Sequence, residues 1–65
     1  MANLESGMLF ENEFTNVFVK YVTDNTVIFV EGFSPSAIHD TQEMPKENFI
    51  NHINEWGFVQ NGYWN

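Results

Sequence analysis

The chain has 65 residues and sets nine acidic side chains against only Lys20 and Lys46, with no arginine, for a net charge of −7. That balance argues against nucleic acid and anionic lipid as partners, because both draw binding energy from lysine and arginine. The absence of cysteine excludes disulfides, thiolate zinc sites and thiol nucleophiles together, and predicts a cytoplasmic protein.

A chain of this length makes one domain, 1–65, with an ordered core over about 7–60 and short tails. A domain this small hides only about 60% of the surface its unfolded form exposes, so its core must be rich. Seven Phe, two Trp and two Tyr supply the means, since each aromatic buries roughly 150–250 Å². The first seven residues carry no basic region and no apolar stretch of signal-peptide length. The longest apolar run, Val27-Ile28-Phe29-Val30, is far short of the ~20 residues that span a membrane. A soluble protein is expected.

Met8-Leu9-Phe10 reads as a short first strand between Gly7 and the polar Glu11-Asn12-Glu13. The clearest strand covers 14–22, where Val17, Val19 and Tyr21 alternate with Phe18, Lys20 and Val22. Asp24-Asn25 predicts a tight hairpin turn, because both residues tolerate positive φ and make local side-chain bonds. The partner strand is 26–31, followed by Gly32 and a loop through Phe33-Ser34-Pro35-Ser36. An edge strand over 38–44 ends at Met44, since Pro45 biases the residue before it toward extended backbone. The period then changes from two to about 3.6. Phe49, Ile50, Ile53 and Trp56 mark one face of a helix over 45–56, with Pro45 at its start, Glu47 in its first turn and Gly57 as its stop. Phe58-Val59-Gln60 forms a short last strand, and Asn61-Gly62 leads into the tail Tyr63-Trp64-Asn65.

This order gives an α+β, mainly β, domain of four to five antiparallel strands with one helix before the last strand. It resembles small SH3-like barrels of phage or archaeal type. The resemblance is carried by Gly7-x-Leu9-Phe10, by Val17-x-Val19-x-Tyr21 and by the Met44-Pro45-x-x-x-Phe49 step into the helix. It implies a closed barrel, although the helix is long for the single 3₁₀ turn of that type. The alternative is a chromo-like arrangement of three strands and a C-terminal helix.

Chemistry-bearing residues are sparse. His39-Asp40 is the sole adjacent His–carboxylate pair, and Glu43 and His52 complete no recognised ligand spacing. His52 and Glu55, three apart, read as a surface pair on the polar helix face. Ser6, Ser34 and Ser36 lack a neighbouring base, Glu11 and Glu13 read as a wet turn, and the four glycines are isolated. No catalytic, metal or cofactor residue is therefore assigned.

Leu9, Val17, Val19, Tyr21, Ile28, Val30, Phe49, Ile53 and Trp56 make the expected core. The hairpin strands are apolar on both faces, so some of Phe18, Val27, Phe29, Phe33, Tyr63 and Trp64 should remain outside. A contiguous patch of such residues marks an interface. The expected partner-binding set is Phe18, Phe29, Phe33 and Trp64. The function these features favour is a non-enzymatic, acidic protein-interaction module, an adaptor, inhibitor or homodimer. One version is an acidic decoy for a DNA-binding groove. The alternative is a nucleic-acid-binding barrel that stacks bases on exposed aromatics.

Overall fold

In the computed structural model, which describes residues 4–33 and 41–64, five strands and one helix form. β1 (Met8–Glu11), β2 (Asn16–Val22), β3 (Thr26–Gly32) and β4 (Thr41–Pro45) precede α1 (Lys46–Glu55), and β5 (Val59–Tyr63) follows it. The strands make one antiparallel sheet in the order β4-β3-β2-β1-β5. β4 and β5 are its edges, so the sheet is open where a closed barrel was expected. The helix supplies the reason. Ten residues span about 15 Å, close to the ~19 Å between the outer members of five strands spaced about 4.8 Å apart. α1 carries the chain from one edge to the other instead of letting the edges meet. A strand after the helix also rules out the three-stranded alternative. No helix among the described residues is long and apolar enough to cross a membrane.

The β2–β3 hairpin forms where the alternation places it, but with β3 turned over. Val22 pairs with Val27 and Val19 with Phe29, and the register shifts between Val19 and Tyr21. The extra residue is a β-bulge, and a one-residue slip moves every side chain beyond it to the other face. Val27 and Phe29 are consequently buried with Val17 and Val19, while Tyr21 is 66% exposed and Ile28 half-buried. Tyr21 and Ile28 were expected in the core. The turn itself closes without positive φ. Thr23 holds it: its Oγ1 accepts from the Thr26 N–H at 3.0 Å, and its own N–H donates to the Thr26 carbonyl at 2.9 Å.

The helix lies on the face that carries Met8, Phe10, Val17, Val19, Val27 and Phe29, and contributes Phe49 and Ile53. The Phe49 ring meets Phe29 at 5.0 Å and Phe10 edge-on at 6.0 Å. Trp56, expected beside them, is 57% exposed. Its displacement follows from how the helix ends. Gly57 adopts φ 68°, its N–H donates to the Asn54 carbonyl at 3.3 Å, and the Phe58 N–H donates to the Ile53 carbonyl at 2.9 Å. These nested bonds define a Schellman motif, which brings the second residue past the cap back over the last turn. Phe58 therefore joins the core next to Ile53, and Trp56 is turned outward.

The opposite face of the sheet buries Phe18 and Val30, which pair across β2 and β3. β5 continues past Gln60, where a tail was expected. Asn61-Gly62 forms an irregularity within the strand, with Gly62 at φ 67°, and Tyr63 still pairs with Met8. Trp64 then folds over Phe18, edge-on at 6.2 Å. Its indole N–H donates to the Val19 carbonyl at 2.9 Å, its backbone N–H to Gly7 at 2.9 Å, and Lys20 Nζ lies 4.8 Å from the ring centroid. Tyr63 donates its hydroxyl to Glu5 at 2.6 Å.

Two outcomes follow from this packing. Phe49→Ala should cost about 3–5 kcal/mol, the usual loss for a buried aromatic, whereas Trp56→Ala should change stability by no more than about 0.5 kcal/mol. Urea midpoints of the two variants measure the contrast. The Tyr63 phenol is held above its ordinary range, first by its hydrogen bond to Glu5, then by loss of hydration and by the carboxylate's charge. A raised folded value means that this tie is intact below the ordinary phenol range and is lost as pH climbs through the raised one. Ultraviolet titration should show the Tyr63 transition moving down in Glu5→Gln.

Candidate functional site

A cleft of about 220 Å³ opens at the end of the molecule where β1 turns into β2 and α1 stops. Three stretches of chain meet there. The β1–β2 turn contributes Asn12, Phe14 and Thr15, the end of β3 contributes Glu31, and the α1 terminus contributes His52, Trp56 and Phe58. Phe14 is 70% exposed and Trp56 57% exposed, so the cleft has two aromatic walls open to water, with buried Phe58 beneath them. Unpaired large apolar side chains at this level of exposure mark interaction surfaces when they gather in one place.

One asparagine fixes the walls. Asn12 Oδ1 accepts from the backbone N–H groups of Phe14 at 2.8 Å and Thr15 at 2.9 Å, an Asx turn that sets the Phe14 backbone. Asn12 Nδ2 donates to the Trp56 carbonyl at 3.0 Å. The same side chain thus joins the turn that carries one aromatic to the cap that carries the other.

Within the cleft, His52 Nε2 lies 2.9 Å from Glu31 Oε1. A carboxylate only accepts, so Nε2 carries the hydrogen, and on the neutral ring Nδ1 is an acceptor. The ring sits 5.9 Å from Phe58 and 6.5 Å from Trp56, centroid to centroid. His52 therefore pairs across to β3, not along the helix with Glu55 as its spacing suggested. Phe49 and Ile53 point one face of α1 at the sheet, and His52, adjacent to Ile53, is carried to the rim where Glu31 waits at the end of β3.

Charge is unevenly distributed about this end. Glu31 lines the cleft, Glu13 is exposed beside Phe14, and Glu55 is exposed beside Trp56. Neither lysine is near. Lys20 packs on Trp64, and the Lys46 backbone N–H donates to Asn25 in the hairpin turn, one helix length away. The C-terminal end of α1 adds the negative pole of its dipole, about half an elementary charge.

No family model, curated protein or solved structure matches this chain. Of the four residues expected to form a patch, Phe29 is fully buried against Phe49 and Phe18 lies beneath Trp64 at 6% exposure. The bulge at Lys20 put Phe29 inward, and the returning tail covered Phe18. Trp64 is half-buried, and Phe33 alone stands free, 81% exposed. The four do not come together. The exposed aromatics that do meet at one cleft are Phe14, which was expected to open the second strand, and Trp56, which was expected in the core. β2 starts only at Asn16, so Phe14 stays in the turn. Ser6 donates its hydroxyl to the Lys20 carbonyl. His39, Asp40, Ser34 and Ser36 lie outside the described residues. Among the described residues no group of three His, Asp or Glu is placed to hold a metal ion.

Asn12→Ala should cost about 1–2 kcal/mol, because it removes three modest hydrogen bonds at once. Asn12→Asp keeps the acceptor for Phe14 and Thr15 but sets a carboxylate against the Trp56 carbonyl. It should retain the turn while releasing the cap, seen as faster amide exchange at Gly57 and Phe58 with that of Thr15 unchanged.

Proposed function

We propose that this protein is a small acidic interaction module that works by binding, without catalysis, and that its cleft end docks on a basic protein partner. The observation that carries this is that two exposed aromatics, Phe14 and Trp56, line one cleft together with Glu31, and that neither lysine lines it. Buried aromatic anchors dominate binding energy at protein interfaces, while complementary charge sets approach and selectivity. A surface with both, on a chain of charge −7, favours a partner that brings apolar or planar groups and positive charge together.

The strand order supports assigning the domain to the SH3-like class, as an open variant. A four-strand meander is followed by a helical crossover and a last strand that returns to pair with β1. A cysteine-free acidic domain suits a reducing cytoplasm, and we place it there. Nucleic acid is the less favoured partner, because two lysines offset nine carboxylates and no arginine grips phosphate.

The test is capture from an extract of the native host, with wild-type protein beside a Phe14→Ser/Trp56→Ser double variant. Both side chains are exposed, so the variant should fold with an unchanged denaturant midpoint. The wild type should retain a basic protein that the variant loses, and the complex should loosen as salt rises toward ~1 M, where screening shortens electrostatic reach to about 3 Å. Self-association that tightens with salt, or retained nucleic acid at about 150 mM salt, would replace this function with a homodimer or a base-stacking role.

A further inference from the structure

We infer that the cleft between Phe14 and Trp56 receives a single arginine side chain of the partner. The inference rests on the proposal that this end faces a basic protein, and it names the group recognised there.

Size comes first. About 220 Å³ is below the roughly 300–1,000 Å³ of ordinary small-molecule pockets, and suits one side chain entering from outside. Sign comes next. Glu31 Oε1 is engaged by His52, and Oε2 makes no hydrogen bond among the described residues. The negative end of α1 adds to that carboxylate. An anionic group would meet both unfavourably, and a purely apolar one would cover Glu31 and His52 without replacing their bonds to water.

The walls then narrow the cation. Aromatic faces attract positive charge within about 6 Å of the ring centroid. The chain already uses one tryptophan in this way, with Lys20 Nζ 4.8 Å from the Trp64 centroid. Trp56 has no lysine over it among the described residues and is 57% exposed, which leaves its ring open to a cation from a partner. A guanidinium is flat, stacks on aromatic rings, sheds water more readily than an ammonium and directs several donors at once. Glu31 Oε2 is the matching acceptor. A lysine ammonium would keep the charge but lose both the stacking and the fork of donors.

The direct test is an NMR titration of isotope-labelled wild-type protein with three blocked tripeptides: Gly-Arg-Gly, Gly-Lys-Gly and Gly-citrulline-Gly. The arginine peptide should shift the Trp56 indole N–H and the His52 amide saturably, with Kd in the ~1–10 mM range expected of one side chain. Lysine should bind about tenfold more weakly, and citrulline, the same shape without the charge, should give no saturable shift. Glu31→Gln should weaken the arginine response about tenfold, as loss of a charge-assisted hydrogen bond does. Equal responses to arginine and citrulline, or none at Trp56 with any peptide, would overturn the inference. Capture from host extract separates its failure from that of the proposed function. A basic partner lost by the Phe14→Ser/Trp56→Ser variant but kept by Glu31→Gln leaves the module standing and refutes the arginine. A partner kept by both variants refutes both.

Discussion

The left-handed backbone at Gly57 governs the arrangement of the whole cleft end. Because Gly57 sits at φ 68°, the chain reverses within two residues of the last helical turn, and Phe58 reaches the core above Ile53. A residue with a β-carbon meets no steric neighbour at this position, so what favours glycine here is backbone conformation alone. From the reversal follow the outward Trp56, the carbonyl that Asn12 grips, and a β5 that starts in line to pair with Glu11. Without it the apolar stripe of α1 would run on into Trp56, and the cleft would lose one wall.

The open sheet solves a different problem. Both faces of the β2–β3 hairpin are apolar, and a single ten-residue helix covers only one. The second face is closed by the chain's own end, where Trp64 lies over Phe18 and hydrogen-bonds to the Val19 carbonyl. Covering both faces from within leaves few large apolar groups outside, and those that remain are informative. Phe14 and Trp56 line one cleft, while Tyr21, Phe33, Val59 and Tyr63 are also exposed but line no part of it. The division also separates the charges. Lys20 lies over the Trp64 ring, and Lys46 stands at the start of the helix. The cleft end keeps its carboxylates without a lysine, with Glu31 hydrogen-bonded to His52.

How much of this was legible in the sequence varied with the range of the interaction involved. The hairpin and the helix rest on local period and on proline, and they appear within a residue or two of their expected bounds; the strand before Pro45 forms over Thr41–Pro45, and 38–40 of its expected range lie outside the described residues. Faces were harder. The alternation in 17–22 assigned Tyr21 to the core, but one bulged residue near Lys20 reverses everything after it, and nothing in Val-Lys-Tyr announces the bulge. At the helix end, Trp56-Gly57-Phe58 offers two aromatics on either side of a terminator. Helical spacing favoured Trp56, and only the cap geometry decides for Phe58. The cleft itself joins 12–15, Glu31 and 52–58, segments whose meeting depends on the crossover of α1, so no spacing in the chain could reveal it. Asn12 was legible as a turn former, yet its second bond, to Trp56, depends on the fold.

The claim on which the rest stands is that Phe58 plugs the core and Trp56 faces water. Tryptophan fluorescence in a Trp64→Phe variant isolates the one indole in question. The account predicts red-shifted, water-like emission that acrylamide quenches freely, with stability lowered by about 1 kcal/mol for the lost indole hydrogen bond. Blue-shifted emission shielded from the quencher would mean that Trp56 is the core residue, that the helix does not end as described, and that the cleft lacks the wall on which the proposed binding depends.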